Sequence, residues 1–258
     1  MALTRTGARP LIFYGWYIVA AALVAQFLAV GTQMFAIGVF LTPMTEELGW
    51  TRGDFSGVQT VSTFVGGGVG FVIGGVIDRR GPRLLMLTGA IVAGGMLLAT
   101  AQVESLWQFY IIRGVGQSLS MALVGNIVVN VTIARWFVAR RGLAVAIASA
   151  GISLGGVVMA PLTSFWVIEF GWRSGWVMLG VLVWALLIPA AMVMRRAPED
   201  YGLKPDNMDD ATAAQVAAGG GRSAAQEEQW TREEARRTRA MWLITFAYGA
   251  STIGLVAL

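Results

Sequence analysis

Hydrophobic positions in this chain gather into long runs instead of alternating or repeating on one helical face. Between ionisable residues the uncharged runs cover residues 10–45, 55–77, 84–103, 105–134 (interrupted once, by Arg113), 142–168, 174–194 and 240–258. A bilayer core needs about 20 apolar residues per helix, and each run meets or nearly meets that length. A run apolar on every face offers water no polar side, which sets aside a soluble helical protein. The pattern predicts an all-α polytopic membrane protein. The first run is longer than a span requires: residues 11–41 cover about 46 Å at 1.5 Å per residue, so this helix must tilt, curve or protrude. It is also too long for a signal-peptide core. Gly49, Pro82 and Gly171 mark three of the turns between runs.

After Arg196 the pattern changes. Residues 197–239 mix acidic and basic side chains with prolines and the stretch ATAAQVAAGGGRSAAQEEQ, a linker composition. The expected organisation is a six-helix transmembrane bundle over 1–196, a cytoplasmic loop over 197–239, and a seventh helix over 240–258. Six spans followed by a long loop are half of a twelve-span architecture, so the chain reads as part of a larger transporter. The alternative is a truncated membrane fragment that does not transport and only associates with other membrane proteins. A seven-span receptor or retinal-type pump would put the N-terminus outside, and a retinal pump needs a lysine in its last span. Lys204, the sole lysine, sits in the loop.

Charge sets the orientation. With the N-terminus cytoplasmic, sixteen of the nineteen Lys and Arg residues fall on inner segments, including Arg79, Arg80, Arg83, Arg135, Arg140 and Arg141. Arg52 and Arg173 fall outside and Arg113 within a span, the split expected of inner-positive topology. Trp50, Trp107, Tyr110 and Trp172 fall near the predicted outer surface, as an aromatic belt would. Charged residues make up only 13% of the chain and hydrophobic ones 56%, against about 25% charged in soluble domains. The pI near 10.0 is explained by topology and anionic lipid, with no nucleic-acid partner needed. Cysteine and histidine are absent, so the sequence holds no disulfide and no thiol–imidazole pair. With no acidic pair inside the runs either, an intramembrane enzyme lacks its nucleophile–base or metal-ligand set.

The turn between the second and third runs reads Gly74-Gly75-Val76-Ile77-Asp78-Arg79-Arg80-Gly81-Pro82-Arg83. It resembles the loop signature of the major facilitator superfamily at Gly74, Asp78, Arg79, Gly81 and Arg83, with Pro82 replacing a basic residue. The stretch from Arg135-Trp136-Phe137 through Arg140-Arg141-Gly142, continuing to Gly151 and Gly155-Gly156, resembles the monocarboxylate transporters and oxalate–formate antiporter-like proteins of that superfamily. Tyr14-Gly15-Trp16-Tyr17, Gly171-Trp172-Arg173 and Arg196-Ala197-Pro198-Glu199-Asp200-Tyr201-Gly202-Leu203 are similar to that branch too. The resemblance runs from Tyr14 to about Trp242. It implies a six-helix half built of two inverted three-helix repeats, completed by a second six-helix half. It also implies a gating loop at Gly74–Arg83, small organic anions carried with protons or by exchange across the inner membrane of a bacterial cell, and no cofactor. Gly156 stands where the exchangers carry proline, so this helix lends antiport no support.

Within the runs the chemistry is sparse. Arg113 is the sole ionisable residue well inside one, where a charge costs about 2.5–3.5 kcal/mol at the bilayer centre and marks a pathway. Arg113 either faces a substrate cavity and attracts a carboxylate, or snorkels to the outer interface. Gln117 and Ser120 share its face, and Gln26 and Gln33 share one on the first helix. These five are the candidate substrate pathway. Asn126 and Asn130 lie about 130° round the same straight helix, which assigns them to helix–helix hydrogen bonding. Gln59, Ser62, Thr63, Ser149 and Ser153 rank below them. Gly66, Gly70, Gly151 and Gly155, at spacing four, are expected to let helices pack closely. Pro161 is expected to bend the fifth helix.

Overall fold

The computed structural model describes residues 13–207, together with 238, 242 and 243, and over 70–80 the backbone alone. Contacts divide the chain into two units, Met1–Asp210 and Ala211–Leu258. In the second, Trp242 and Leu243 are helical; the predicted seventh span and most of the predicted 197–239 loop lie outside the described residues.

In the first unit the described residues form helices and turns, with no strand. This is what lipid demands, because a helix satisfies its backbone hydrogen bonds within itself. Four helical stretches are long and apolar enough to cross a membrane. We label Gly15–Leu48 α1 and Leu106–Trp136 α4. The other two helices pass through glycines with non-helical backbone: Arg52–Thr100 at Gly81 (φ 73°, ψ 162°) and Arg141–Val193 at Gly171 (φ 80°, ψ 163°). They divide into α2 (52–80), α3 (Gly81–Thr100), α5 (141–170) and α6 (172–193).

Contacts show that the chain reverses at both glycines. α2 runs alongside α4, with Tyr110 Oη donating to the Asp54 carbonyl at 3.0 Å and Ser62 Oγ to the Arg113 carbonyl at 3.1 Å. α3 runs against α4, since Gly89 faces Leu123 and Val124 while Gly116 faces Met96. In the same way α5 follows α1, with Gly151 at Leu23 and Gly155 at Phe27. α6 opposes α1: Trp176 Nε1 donates to Met44 Sδ at 3.4 Å and Tyr14 Oη to the Val193 carbonyl at 2.8 Å. Only glycine adopts such positive φ angles freely, so these two residues make the tight reversals possible.

α1 accommodates its length by a π-helical stretch, Gly31–Phe35, and continues to Leu48 before Gly49 ends it at φ 68°. The next helix begins with a capping box. Thr51 N and Oγ1 donate to Asp54 Oδ2 at 3.0 and 2.7 Å, and Asp54 N donates back to Thr51 Oγ1 at 3.1 Å. These bonds from Thr51 hold the Asp54 carboxyl below its ordinary pKa. The backbone stays helical through Pro161, so in this chain the break falls at Gly171. Of the aromatic residues expected at the outer surface, Trp107 is exposed. Trp172 is instead buried and donates from Nε1 to Glu47 Oε2 at 2.6 Å, and Arg173 pairs with the same carboxylate.

Candidate functional site

Polar side chains scattered over three helices meet at one cavity of about 330 Å³. α1 contributes Gln26 and Gln33, α2 contributes Gln59, Ser62, Thr63 and Gly66, and α4 contributes Ser118, Gly125 and Asn126. Val30, Met121, Ala122 and Ile127 complete the wall. The α2 set falls at spacings of three, four and seven, which puts all four residues on one helical face. No residue in this lining is ionisable. A wall of amides and hydroxyls can hold a polar or anionic solute by hydrogen bonds without a fixed charge to trap it.

The backbone of α4 decides which of its side chains reach the cavity. Tyr110–Gln117 is π-helical, and Gly125 is extended (φ −70°, ψ −166°) between helical turns Ser118–Val124 and Asn126–Trp136. Each i→i+5 turn takes in an extra residue, so side chains beyond it rotate by about 100° from where an ideal helix puts them. Asn126 consequently stands on the cavity wall, and its Oδ1 accepts from Gln26 Nε2 at 2.6 Å and from Asn130 Nδ2 at 3.1 Å. A hydroxyl relay lies beside it. Ser118 Oγ is 2.7 Å from Ser62 Oγ, which donates to the Arg113 carbonyl.

The predicted pathway residues divide between this cavity and the packed interior. Gln26 and Gln33 line the cavity, whereas Arg113, Gln117 and Ser120 do not. Arg113 is 1% exposed, so it does not snorkel to the surface, and its guanidinium lies 4.9 Å from the centre of the Trp176 ring. Neither terminal nitrogen of Arg113 has a hydrogen-bond partner among the described residues. Trp176 is itself stacked on Phe40 at 3.7 Å. Gln117 and Ser120 line a separate void of about 10 Å³ with Thr32 and Ala93, room for about one water. Ser149 and Ser153 are not in the cavity lining, while Gln59, Ser62 and Thr63, ranked lower on sequence, are. Their shared α2 face was the signal available for finding them.

Gly151 and Gly155 stand against bare α1 backbone. A Cβ on Gly151 would come within 2.3 Å of the Leu23 carbonyl oxygen, and one on Gly155 within 2.8 Å of that of Phe27. Gly66 instead faces open space on the cavity wall. In the signature turn, Gly81 is buried at positive φ and Arg83 is exposed; Gly70, Gly74, Asp78 and Arg79 lie where only the backbone is described.

A reversing bundle of apolar helices around a polar, uncharged cavity defines a multi-spanning membrane protein. The profile of the Major Facilitator Superfamily matches residues 9–258, and the chain belongs to that family. Among curated proteins it is 27% identical to monocarboxylate transporter 14 of Mus musculus, over 72% of this chain and 36% of that one. Human monocarboxylate transporter 1 is 26% identical over 72% and 37% of the two chains. The match to MFS-type transporter 1 of Ophiocordyceps sp. is 31% identical over 57% and 32%. The chain thus spans about a third of the length of these relatives. Among solved structures, a bacterial homologue of the human lysosomal transporter Spinster, inward-facing and unoccupied, superposes with a TM-score of 0.60 at 18% identity. That match covers 74% of this chain and 45% of that one, and at such identity it speaks to the fold alone.

Proposed function

We propose that the protein is a secondary active transporter rather than an enzyme, and that it carries small organic anions of the monocarboxylate kind with protons or by exchange. The single observation behind this reading is the uncharged cavity where α1, α2 and α4 meet. Its amides and hydroxyls suit a carboxylate that must be released as readily as it is bound, and they suit neither a nucleophile nor a metal. Family membership and the monocarboxylate transporters among the relatives support the same class. In this reading 1–196 is a six-helix half of two inverted repeats, and a second half beyond the 197–239 loop completes the site as the two rock about it. The N-terminus faces the cytoplasm of a bacterial cell, and Gly74, Asp78, Arg79, Gly81 and Arg83 gate the inner opening. Gln26 and Gln33 hold the solute directly. Arg113 lies outside the lining, its main-chain carbonyl accepting from Ser62 of the wall, and its buried guanidinium biases the cavity toward anions.

The test is uptake of labelled lactate, pyruvate, oxalate and formate into proteoliposomes of the intact protein at several external pH values. Saturable uptake of one of these acids is the expected result, with acceleration at low external pH marking proton coupling. Failure of all four to enter or to exchange rules out the organic-anion reading.

A further inference from the structure

The motif beyond α6 has no part in the cavity, yet it is folded. Residues 199–201 and 205–207 form short 3-10 turns, with Gly202 (φ 68°) and Asp206 (φ 54°) both at positive φ. Asp206 is the one non-glycine residue at positive φ among those described. Such a conformation persists where surrounding contacts hold it, and here the contacts are specific. Asp206 Oδ2 accepts from Val138 N at 2.7 Å and Ala139 N at 2.6 Å, both in the turn between α4 and α5. Arg195 is sandwiched between the rings of Tyr14, at 4.1 Å, and Tyr201, at 4.0 Å, while its carbonyl accepts from Trp136 Nε1 at 3.2 Å. The side chain of Arg196 lies over Gly81, its Cβ 3.7 Å from where a glycine Cβ would stand.

Residues 195–206 therefore touch three things at one end of the bundle: the start of α1, the α2–α3 turn at Gly81, and the α4–α5 turn. We propose that this segment is a strap that binds the three into a single rim and so sets how often the cavity opens at that end. Asp206 and Arg195 are its positioning residues. The bonds fit the task. One carboxylate oxygen takes two backbone N–H groups, a charge-assisted pair that fixes the α4–α5 turn. The Arg195 guanidinium fills the gap between two aromatic faces, which a lysine ammonium does less well. Releasing either end frees the turns to part.

This inference rests on the carrier reading for what the opening serves, and the experiment separates the two. The chain has no cysteine, so a Thr63→Cys protein places one thiol on the cavity wall. Its labelling by a charged, membrane-impermeant thiol reagent in inverted membrane vesicles reports opening at the strap end. Asp206→Ala and Arg195→Lys are each expected to speed labelling about threefold or more, a shift of the size that couplings through packed elements produce. Amide exchange at Val138 and Ala139 should rise at least as much in Asp206→Ala, and Asp206→Asn, which keeps an acceptor and tolerates positive φ, should fall between. Faster exchange with unchanged labelling overturns the strap, because the contact then matters only locally. Unchanged exchange overturns it as well. If Asp206→Ala does not elute as a folded species, Arg195→Lys decides alone: unchanged labelling in it is likewise fatal. A Thr63→Cys thiol that reacts from neither face, with the strap intact, counts instead against the carrier reading.

Discussion

α1 meets its neighbours in two opposite ways. Toward α5 it is pressed against glycine: Gly151 and Gly155 leave no room for a methyl group beside the Leu23 and Phe27 carbonyls, and Gly31 faces Met159 just as closely. Toward α2 and α4 it holds apart, with Gln26 and Gln33 on a cavity and Gly66 across from it facing open space. Apolar burial supplies little drive between helices in lipid, so close backbone contact provides the cohesion on the first side. On the second, polar side chains that would be costly to leave unsatisfied keep a space that a solute can use. Glycine thus means packing at Gly151 and Gly155 and clearance at Gly66, and the partner backbone decides which.

The largest expected effect breaks the packed side. Gly151→Leu should destabilise the protein by about 3 kcal/mol or more, because the new side chain meets backbone oxygen and not a movable side chain. Gly66→Ala should leave thermal stability in detergent unchanged, and a comparable fall in both proteins would erase the distinction between the two sides. Next comes Arg113. Arg113→Gln should lower the apparent affinity for a transported acid about tenfold while Arg113→Lys retains most of it, since the effect proposed is one of charge. Equal affinity in both variants and the parent removes Arg113 from the function. A smaller effect is expected at the amide pair. Gln26→Leu and Asn126→Ala should each cost about 0.6 kcal/mol, and up to about 1.7, in stability, typical of polar pairs between membrane helices. Their double variant should cost less than the sum, which a thermal-melt cycle in detergent reads directly.

The smallest effect lies outside the membrane, at the Thr51–Asp54 capping box. Asp54 has its pKa lowered in the fold. Its contribution is therefore fully present above the ordinary carboxylate range and is lost as pH falls through the folded value. Thr51→Ala should lower the melting temperature at pH 7 and lower it less once the carboxylate is protonated, because the Asp54 N–H bond to Thr51 Oγ1 does not titrate. A gap between the two proteins that is undiminished at low pH would show that the cap acts through the Thr51 hydroxyl alone.

Arg113 and Asn126 illustrate what could be read from residue order and what could not. Both were visible as polar residues in an apolar run, and counting at a fixed angle put them on different faces of a straight helix. The helix is not straight. The π-helical stretch and the extended Gly125 rotate one against the other, leaving Arg113 against Trp176 and Asn126 on the cavity. A fixed angle per residue carries no information about such a slip. The same holds for the strap: its motif was visible in the residue order but its docking was not, because the hydrogen-bond partners that order it sit 59 to 68 residues away in the chain.

Residue order alone settled the membrane class, the all-helical fold and the reversals near Gly81 and Gly171, because these follow from length, hydrophobicity and backbone freedom within about thirty neighbouring residues. It also named the candidates for polar chemistry, since so few polar side chains interrupt the apolar runs. Which of those candidates share a cavity, which is buried behind it, and where the segment after α6 docks were decided only by the tertiary structure. They depend on helix phase and on contacts between distant segments, and neither exists until the helices are packed.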